Sequence, residues 1–225
     1  MNKGVSGYSA DRSPAEKTRR CVIFTGGDAD LSLISSENFA ADFVIAADCG
    51  MKKAIAENIT PNLLVGDFDS MAIPAQFAGL PVYRMPAEKD ETDTMTAIDQ
   101  AIRAGCTDIL LVGGTGGRLD HTISNVLLLE SLRSRGVFVT MTDGRSTVRF
   151  LRDETVRLPR RGFRYFSLFA LDECTVTLRG AKYPLEDAVL RRTLPYAVSN
   201  EIVGDEAEIS VRGGVLLLES DRITE

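Results

Sequence analysis

Residues 108–141 read DILLVGGTGGRLDHTISNVLLLESLRSRGVFVTM. The apolar run Asp108–Val112 predicts a strand covered on both faces, and Leu119–Arg135 repeats apolar residues at the spacing of helix turns. Gly136 stands where a helix ends, and Val137–Met141 is a second apolar run. A strand, a helix and a strand in this order predict a parallel βαβ unit.

The same alternation extends back through the first half of the chain. Asp93–Ala104 has a helical period, with Thr92 as a plausible N-cap and Gly105 as its stop. Further strand-length apolar runs are Cys21–Thr25, Phe43–Ala47, Leu63–Val65 and Val82–Met85. We therefore expect an α/β domain with a doubly wound, mostly parallel sheet and helices on both faces.

The pattern changes after Asp143-Gly144, where strand-length segments alternate with turn residues and none has a sustained helical period. The predicted strands are Val148–Leu151, Thr155–Leu158, Phe163–Leu171, Thr175–Arg179, Ala197–Ser199, Glu208–Val211 and Val215–Glu219. They predict a C-terminal antiparallel β-sandwich. The expected organisation is a polar disordered tail (1–20), an α/β domain (21–145) and a β-sandwich domain (146–225).

Composition excludes several classes of protein. Hydrophobic residues make up 44% of the 225 residues, which is enough for a packed core, and the net charge of −6 argues against a nucleic-acid surface. No apolar run approaches the roughly 20 residues that cross a bilayer, and residues 1–20 lack the apolar region of a secretory signal. The four cysteines have no CxxC spacing, which favours reduced thiols in a cytoplasmic protein.

Acidic residues follow several of the predicted strands. Asp28, Asp48, Asp67 and Asp69 all come at carboxyl ends, the edge that carries the ligand crevice of an open α/β sheet. A single Asp after a strand is more often a turn former than a ligand. Asp67 and Asp69, however, flank Phe68 at the alternate spacing of a strand, which predicts that both point to one side. Converging carboxylates need a cation, and hard oxygen ligands favour Mg²⁺.

The glycine loop 113–117 ends one predicted strand and opens the helix that carries Arg118, Asp120 and His121. Bare glycines let backbone N–H groups approach a phosphate at a helix N-terminus. The loop is neither a Walker A motif nor a dinucleotide fingerprint. His121 is the one histidine of the chain, and a structural role and a nucleotide contact are equally consistent with it. Acidic residues in 89–94 are also ordinary at a helix start.

Four ordered motifs are similar to those of the thiamine pyrophosphokinase family. They are Ala47-Asp48-Cys49-Gly50, Gly66-Asp67-Phe68-Asp69-Ser70, Lys89-Asp90-Glu91-Thr92-Asp93, and the segment from Gly113 to His121. Ser199-Asn200-Glu201 resembles the Ser-Asn element of the family's β-domain, so the resemblance runs from about Cys21 to Glu219. Cys49 departs from the family's usual glycine, and the chain has no tryptophan for stacking on thiamine.

The resemblance implies an enzyme that transfers pyrophosphate from ATP to the hydroxyl of thiamine, giving thiamine diphosphate and AMP. It implies a homodimer with its sites at the interface. The implied catalytic carboxylates, which also hold Mg²⁺, are Asp67, Asp69 and Asp93. The implied nucleotide-binding residues are Asp48, Gly113, Gly114, Thr115, Gly116, Gly117, Arg118, Asp120 and His121. The implied substrate-binding residues are Lys89, Thr92, Ser199 and Asn200.

Two other functions stay open at this point. A pyrophosphokinase acting on a hydroxymethylpterin would share the first-half motifs without needing Ser199-Asn200 on a β-sandwich. A thiamine or nucleotide sensor without turnover is the other alternative, although all three proposed metal carboxylates are present.

Overall fold

The computed structural model describes residues 18–69, 71–85, 92–160 and 162–222, within which the chain forms three α-helices and thirteen strands. The helices are Met51–Ala56 (α1), Asp93–Arg103 (α2) and Leu119–Ser134 (α3). The strands are Arg19–Phe24 (β1), Phe43–Ala47 (β2), Leu63–Gly66 (β3), Val82–Arg84 (β4), Cys106–Val112 (β5), Phe138–Thr142 (β6), Thr147–Arg152 (β7), Thr155–Pro159 (β8), Phe163–Ala170 (β9), Cys174–Arg179 (β10), Leu185–Leu190 (β11), Glu206–Arg212 (β12) and Gly214–Arg222 (β13).

A nine-stranded sheet forms the centre of the molecule, in the order β4-β3-β2-β1-β5-β6-β7-β13-β9. The pairs from β4 to β6 are parallel, and those from β6 to β9 are antiparallel. The predicted α/β fold is therefore confirmed. The chain leaves β1 toward β2, β3 and β4 on one side and returns to β5 and β6 on the other, so the strand order reverses between β1 and β5.

Both faces of the parallel part are covered, as its continuously apolar strands require. On one face Ile23 and Ile45 belong to a core that includes Ala97 of α2 and Leu132 of α3. On the other face Val22 and its neighbours pack with the short helix α1 and with 3₁₀ turns between the strands. The predicted capping of α2 is also confirmed, because the Thr92 hydroxyl accepts a hydrogen bond from the Met95 N–H at 3.2 Å.

The predicted sandwich is present, and one of its layers continues the central sheet. Strands β7, β13 and β9 extend that sheet, while β11-β10-β12-β8 form the second, antiparallel layer. Leu151, Leu217, Val176 and Ile209 are among the residues buried between the two layers. The turn at Asp143-Gly144 thus joins β6 to β7 as neighbours in one sheet, and the sheet crosses the proposed domain boundary without interruption.

Two features of the second half differ from the sequence prediction. Ala197–Ser199 is not a strand. Ser199 has φ +55°, and this stretch contacts β9 through single hydrogen bonds, from the Leu168 N–H to the Ala197 carbonyl and from the Ser199 N–H to the Ser167 hydroxyl, followed by an isolated bridge at Asn200. Leu185–Leu190 is a strand that the pattern did not predict, since it lies at the edge of the small sheet and only one of its six residues is buried. Of the helices in the described ranges, none is long and apolar enough to span a bilayer.

Candidate active site

The crevice expected of an open α/β sheet lies where the strand order reverses, at the carboxyl ends of β1 and β5. Two glycine turns meet there. A Cβ on Gly27 would overlap the carbonyl oxygen of Gly113, and a Cβ on Gly113, which has φ +82°, would lie 2.5 Å from the carbonyl oxygen of Gly27. Neither position accommodates a side chain, so bare backbone lines this point of the sheet edge.

Buried contacts hold the base of the glycine loop. The Gly113 N–H donates to the Thr142 carbonyl at 2.8 Å, and the buried Asn125 side chain donates to the Gly114 carbonyl at 2.8 Å. Gly116 and Gly117 follow with φ +87° and +72° and are exposed, directly before α3. The Thr115 hydroxyl oxygen is buried, and no other described residue forms a hydrogen bond with it. The loop therefore has a fixed base and an exposed glycine tip at a helix N-terminus, an arrangement suited to an anion.

Arg118 and Asp120 form an exposed two-point ion pair at the start of α3. The guanidinium contacts the two carboxylate oxygens at 3.1 and 2.5 Å, and the His121 N–H donates to the same carboxylate at 3.0 Å. The hydrogen bond from Arg118 holds the pKa of Asp120 below its usual value. Any phosphate that binds Arg118 must therefore share or replace its contact with Asp120.

The acidic side of the same edge follows β2 and β3. Asp48 has φ +44° and packs against Gly66, where a Cβ would lie 3.5 Å from the Asp48 backbone. Asp69 donates its backbone N–H to the Asp67 carboxylate at 3.2 Å. The prediction that these two carboxylates alternate along a strand is wrong, because β3 ends at Gly66 and Phe68 has φ +59°. A turn, not strand pleating, sets their directions.

Asp93 belongs to a different element from this turn, because it is the first residue of α2. In the parts of the chain that the structure describes, no three His, Cys, Asp or Glu side chains are grouped closely enough to hold a metal. The oxygen donors nevertheless suit Mg²⁺, which commonly takes one or two carboxylates and completes its shell with water and substrate phosphates. Lys89 lies outside the described residues.

Ser199 and Asn200 lie at the other end of the nine-stranded sheet. Asn200 pairs with Phe166 of β9, and its side-chain oxygen accepts from the backbone N–H groups of Tyr183 and Glu201. Its amide nitrogen donates to the Tyr183 carbonyl at 2.8 Å. Asn200 is buried, whereas Ser199 and the Tyr183 ring are exposed. The buried Asn200 side chain therefore fixes the Tyr183 backbone to the segment that directly follows Ser199.

One residue of the sheet edge was missed by the sequence analysis. Lys53 of α1 is half-buried, and its ammonium group donates to the Thr25 carbonyl at 2.8 Å, directly after β1. The signal was weak because α1 has only six residues, too few for a helical period to be visible. Its position three residues after Gly50, in the first turn following a strand end, was the available clue.

Comparison with known proteins matches both halves of the chain. Residues 35–141 match the model of the thiamin pyrophosphokinase catalytic domain, and residues 153–216 match that of the thiamin pyrophosphokinase vitamin B1 binding domain. Thiamine pyrophosphokinase of Bacillus subtilis is 29% identical over 183 residues, covering 77% of this chain and 85% of that protein.

Solved structures agree in fold over nearly the whole chain. The thiamine pyrophosphokinase of Bacillus subtilis superimposes with a TM-score of 0.81 at 25% identity, covering 91% of this chain and all of the other. That of Geobacillus thermodenitrificans gives 0.75 at 28% identity, covering 90% and 97%. The enzyme of Candida albicans gives 0.74 at 14% identity, covering 91% and 90%, which supports the fold alone.

Proposed function

The chain belongs to the thiamine pyrophosphokinase family, and from this premise we propose that it transfers pyrophosphate from ATP to the hydroxyl of thiamine. The products are thiamine diphosphate and AMP. The observation that carries the proposal is the order of the two family matches. The catalytic match lies on the parallel sheet with its glycine crevice, and the vitamin B1 match lies on the sandwich.

The nucleotide-binding part of the proposal centres on the crevice between β1 and β5. The exposed tip of the glycine loop 113–117 and the N-terminus of α3 favour the phosphates, and Arg118 offers a forked donor to them. Asp120 keeps that fork oriented through its two contacts. Asp48 and His121 border the same edge of the sheet, and we assign them to the nucleotide site as well.

The catalytic part rests on the carboxylates Asp67, Asp69 and Asp93. We propose that they hold Mg²⁺ on the phosphates of bound ATP. When bound, that ion neutralises charge that develops at the β-phosphorus during in-line attack. The protein's own contribution is positioning, because a fixed hydroxyl next to the β-phosphorus converts a bimolecular step into an effectively unimolecular one.

We assign the thiamine side to Lys89, Thr92, Ser199 and Asn200. The structure supports a different role for each of Thr92, Ser199 and Asn200. The Thr92 hydroxyl caps α2 and so places the helix start that carries Asp93. Ser199 is exposed for direct contact, and Asn200 holds the loop that presents the neighbouring Tyr183 ring.

We further propose a homodimer in which two chains complete each site. Four strand spacings separate β5 from β9, and seven separate β3 from β9. At about 4.8 Å per spacing, Ser199 lies on the order of 19 Å from the glycine loop and 34 Å from Asp67 along one sheet. A hydroxyl and a phosphorus that react must be about 3 Å apart, so a second chain is the simpler way to bring the two sides together.

We propose that 21–145 is the catalytic part and 146–225 the thiamine-binding part. The expected tail 1–20 is corrected at its end, because Arg19 and Arg20 already belong to β1, and residues 1–17 lie outside the described residues. All four cysteines are free thiols, and three of them are buried, which supports a reducing compartment, and we propose the cytoplasm.

Product analysis tests the function directly. The protein is incubated with ATP, Mg²⁺ and thiamine, and the mixture is followed by phosphorus NMR. Attack at the β-phosphorus gives AMP and thiamine diphosphate in equal amounts. ADP with thiamine monophosphate would instead identify a simple kinase and refute the proposal. A thermal shift with thiamine but not with hydroxymethylpterin separates the two pyrophosphokinase alternatives, since a ligand stabilises the fold that binds it.

A further inference from the structure

Lys53 of α1 contacts the point where the turn at Gly27 meets the glycine loop 113–117. α1 packs on the opposite face of the sheet from α3, the helix that follows the glycine loop. α1 begins against β1, since a Cβ on Gly50 would overlap the Phe24 carbonyl oxygen. From there the Lys53 side chain extends to the Thr25 carbonyl, where its ammonium donates at 2.8 Å. Its Cε lies 3.2 Å from the position that a Cβ of Gly113 would occupy. One side chain therefore contacts both turns of the crevice.

The charge of Lys53 is only partly balanced by the protein. Burial lowers the pKa of this lysine, and the negative charge of Asp28 opposes that effect. Within the described ranges, the ammonium group forms no ion pair with a carboxylate, and the Thr25 carbonyl is its one hydrogen-bond acceptor. An ammonium group has three donors, so two of them have no acceptor in the described protein.

A half-buried cation whose charge is only partly balanced is costly, and a neutral side chain could tie α1 to the Thr25 carbonyl equally well. The two turns beside the ammonium are lined by bare backbone, as expected where a phosphate approaches. We propose that Lys53 provides the fixed positive charge that contacts the phosphates of the nucleotide at the β1–β5 crevice. This inference rests on the proposed function and deepens its nucleotide site.

A matched pair of variants tests it. Lys53→Gln removes the charge but keeps a donor for the Thr25 carbonyl. Lys52→Gln removes the same charge from the exposed neighbour on α1. Equilibrium binding of ATP and of adenosine is measured by calorimetry without thiamine, so turnover is not needed. We expect Lys53→Gln to weaken ATP binding about tenfold or more, the effect of losing one charge-assisted hydrogen bond, with adenosine unchanged. Lys52→Gln should stay within about twofold of the unmodified protein.

Two other binding results would contradict the proposal. Unchanged ATP affinity in Lys53→Gln would mean that the lysine serves only to hold the Thr25 turn. Equal loss of ATP and adenosine binding would mean that the turn itself has moved. If Lys53→Gln does not fold, Lys53→Arg keeps the charge and must retain ATP affinity. Failure of the proposed function is visible separately, in an unmodified protein that binds ATP but forms no AMP with thiamine.

Discussion

Asp67 and Asp69 are placed by a turn, and their role can be separated from that turn by removing charge without changing size. Asp69→Asn and Asp67→Asn should each lower turnover by at least ~100-fold, a barrier rise of ~2.7 kcal/mol, because the phosphates lose a metal ligand. The measured quantity is kcat with ATP and thiamine at saturating Mg²⁺. Asp172→Asn, an exposed residue after β9, is the matched control. Near-normal rates for both site variants would remove these residues from the metal site.

Replacing Asn200 should lower stability, whereas replacing its neighbour Ser199 should weaken the use of thiamine. Asn200→Ala removes three hydrogen bonds, two of them to the part-buried backbone of Tyr183, so we expect the free energy of unfolding to fall by about 2–3 kcal/mol. Ser199→Ala removes an exposed hydroxyl and should change stability by less than about 0.5 kcal/mol while raising the KM for thiamine.

Urea unfolding and thiamine-dependent rates, measured on both variants, decide this pair. A stable Asn200→Ala protein with a raised KM for thiamine would instead make Asn200 a direct substrate contact. A Ser199→Ala protein with an unchanged KM would remove Ser199 from the thiamine side.

At the scale of single elements, the glycine loop combines two kinds of glycine. Gly113 and Gly117 both have positive φ, which costs about 1–2 kcal/mol for an L-residue. A Cβ on Gly113 also meets the backbone of Gly27, whereas a Cβ on Gly117 meets nothing within 4 Å. Gly113→Ala should therefore lower the free energy of unfolding clearly more than Gly117→Ala. Equal losses in urea unfolding would show that the two turns separate easily and that the crevice floor is not rigid.

The elements that the sequence predicted well are those with a long or fully apolar pattern. α2 with its Thr92 cap, α3, and β2 were predicted nearly to the residue, as were the glycines that end the two helices. α1 and β11 were not, because six residues are too few for a helical period and an edge strand keeps polar residues on exposed positions. Ala197–Ser199 looked like a strand, but tertiary contacts to Ser167 and Phe166 hold Ser199 at positive φ.

The candidate site was predictable in its positions and less so in its contacts. The strand-end rule placed the glycine loop, Asp48 and Asp67 at one edge of the sheet, and the structure has them there. The pairing of Arg118 with Asp120 and the reach of Lys53 to the Thr25 carbonyl depend on side-chain directions. Spacing in the sequence does not determine such directions.

At the scale of the whole molecule, the continuous sheet separates the two sides of the proposed reaction. The glycine loop and the carboxylates lie on the parallel part, and Ser199 lies beside β9 at the far edge. If two chains complete each site, defects on opposite sides should complement one another. We therefore expect Asp69→Asn and Ser199→Phe homodimers to be nearly inactive when assayed separately, since each has the same defect at both sites.

After subunit exchange, half of the dimers contain one chain of each kind. Such a dimer has one site with both defects and one site with neither, so the mixture should recover about a quarter of the unmodified activity. Sedimentation before and after mixing shows whether dimers form and exchange. Two copies of Asp69→Asn carrying different affinity tags control for exchange alone and should stay inactive. If each site lay within a single chain, every site would keep one defect, and the mixture would remain inactive however completely the subunits exchanged.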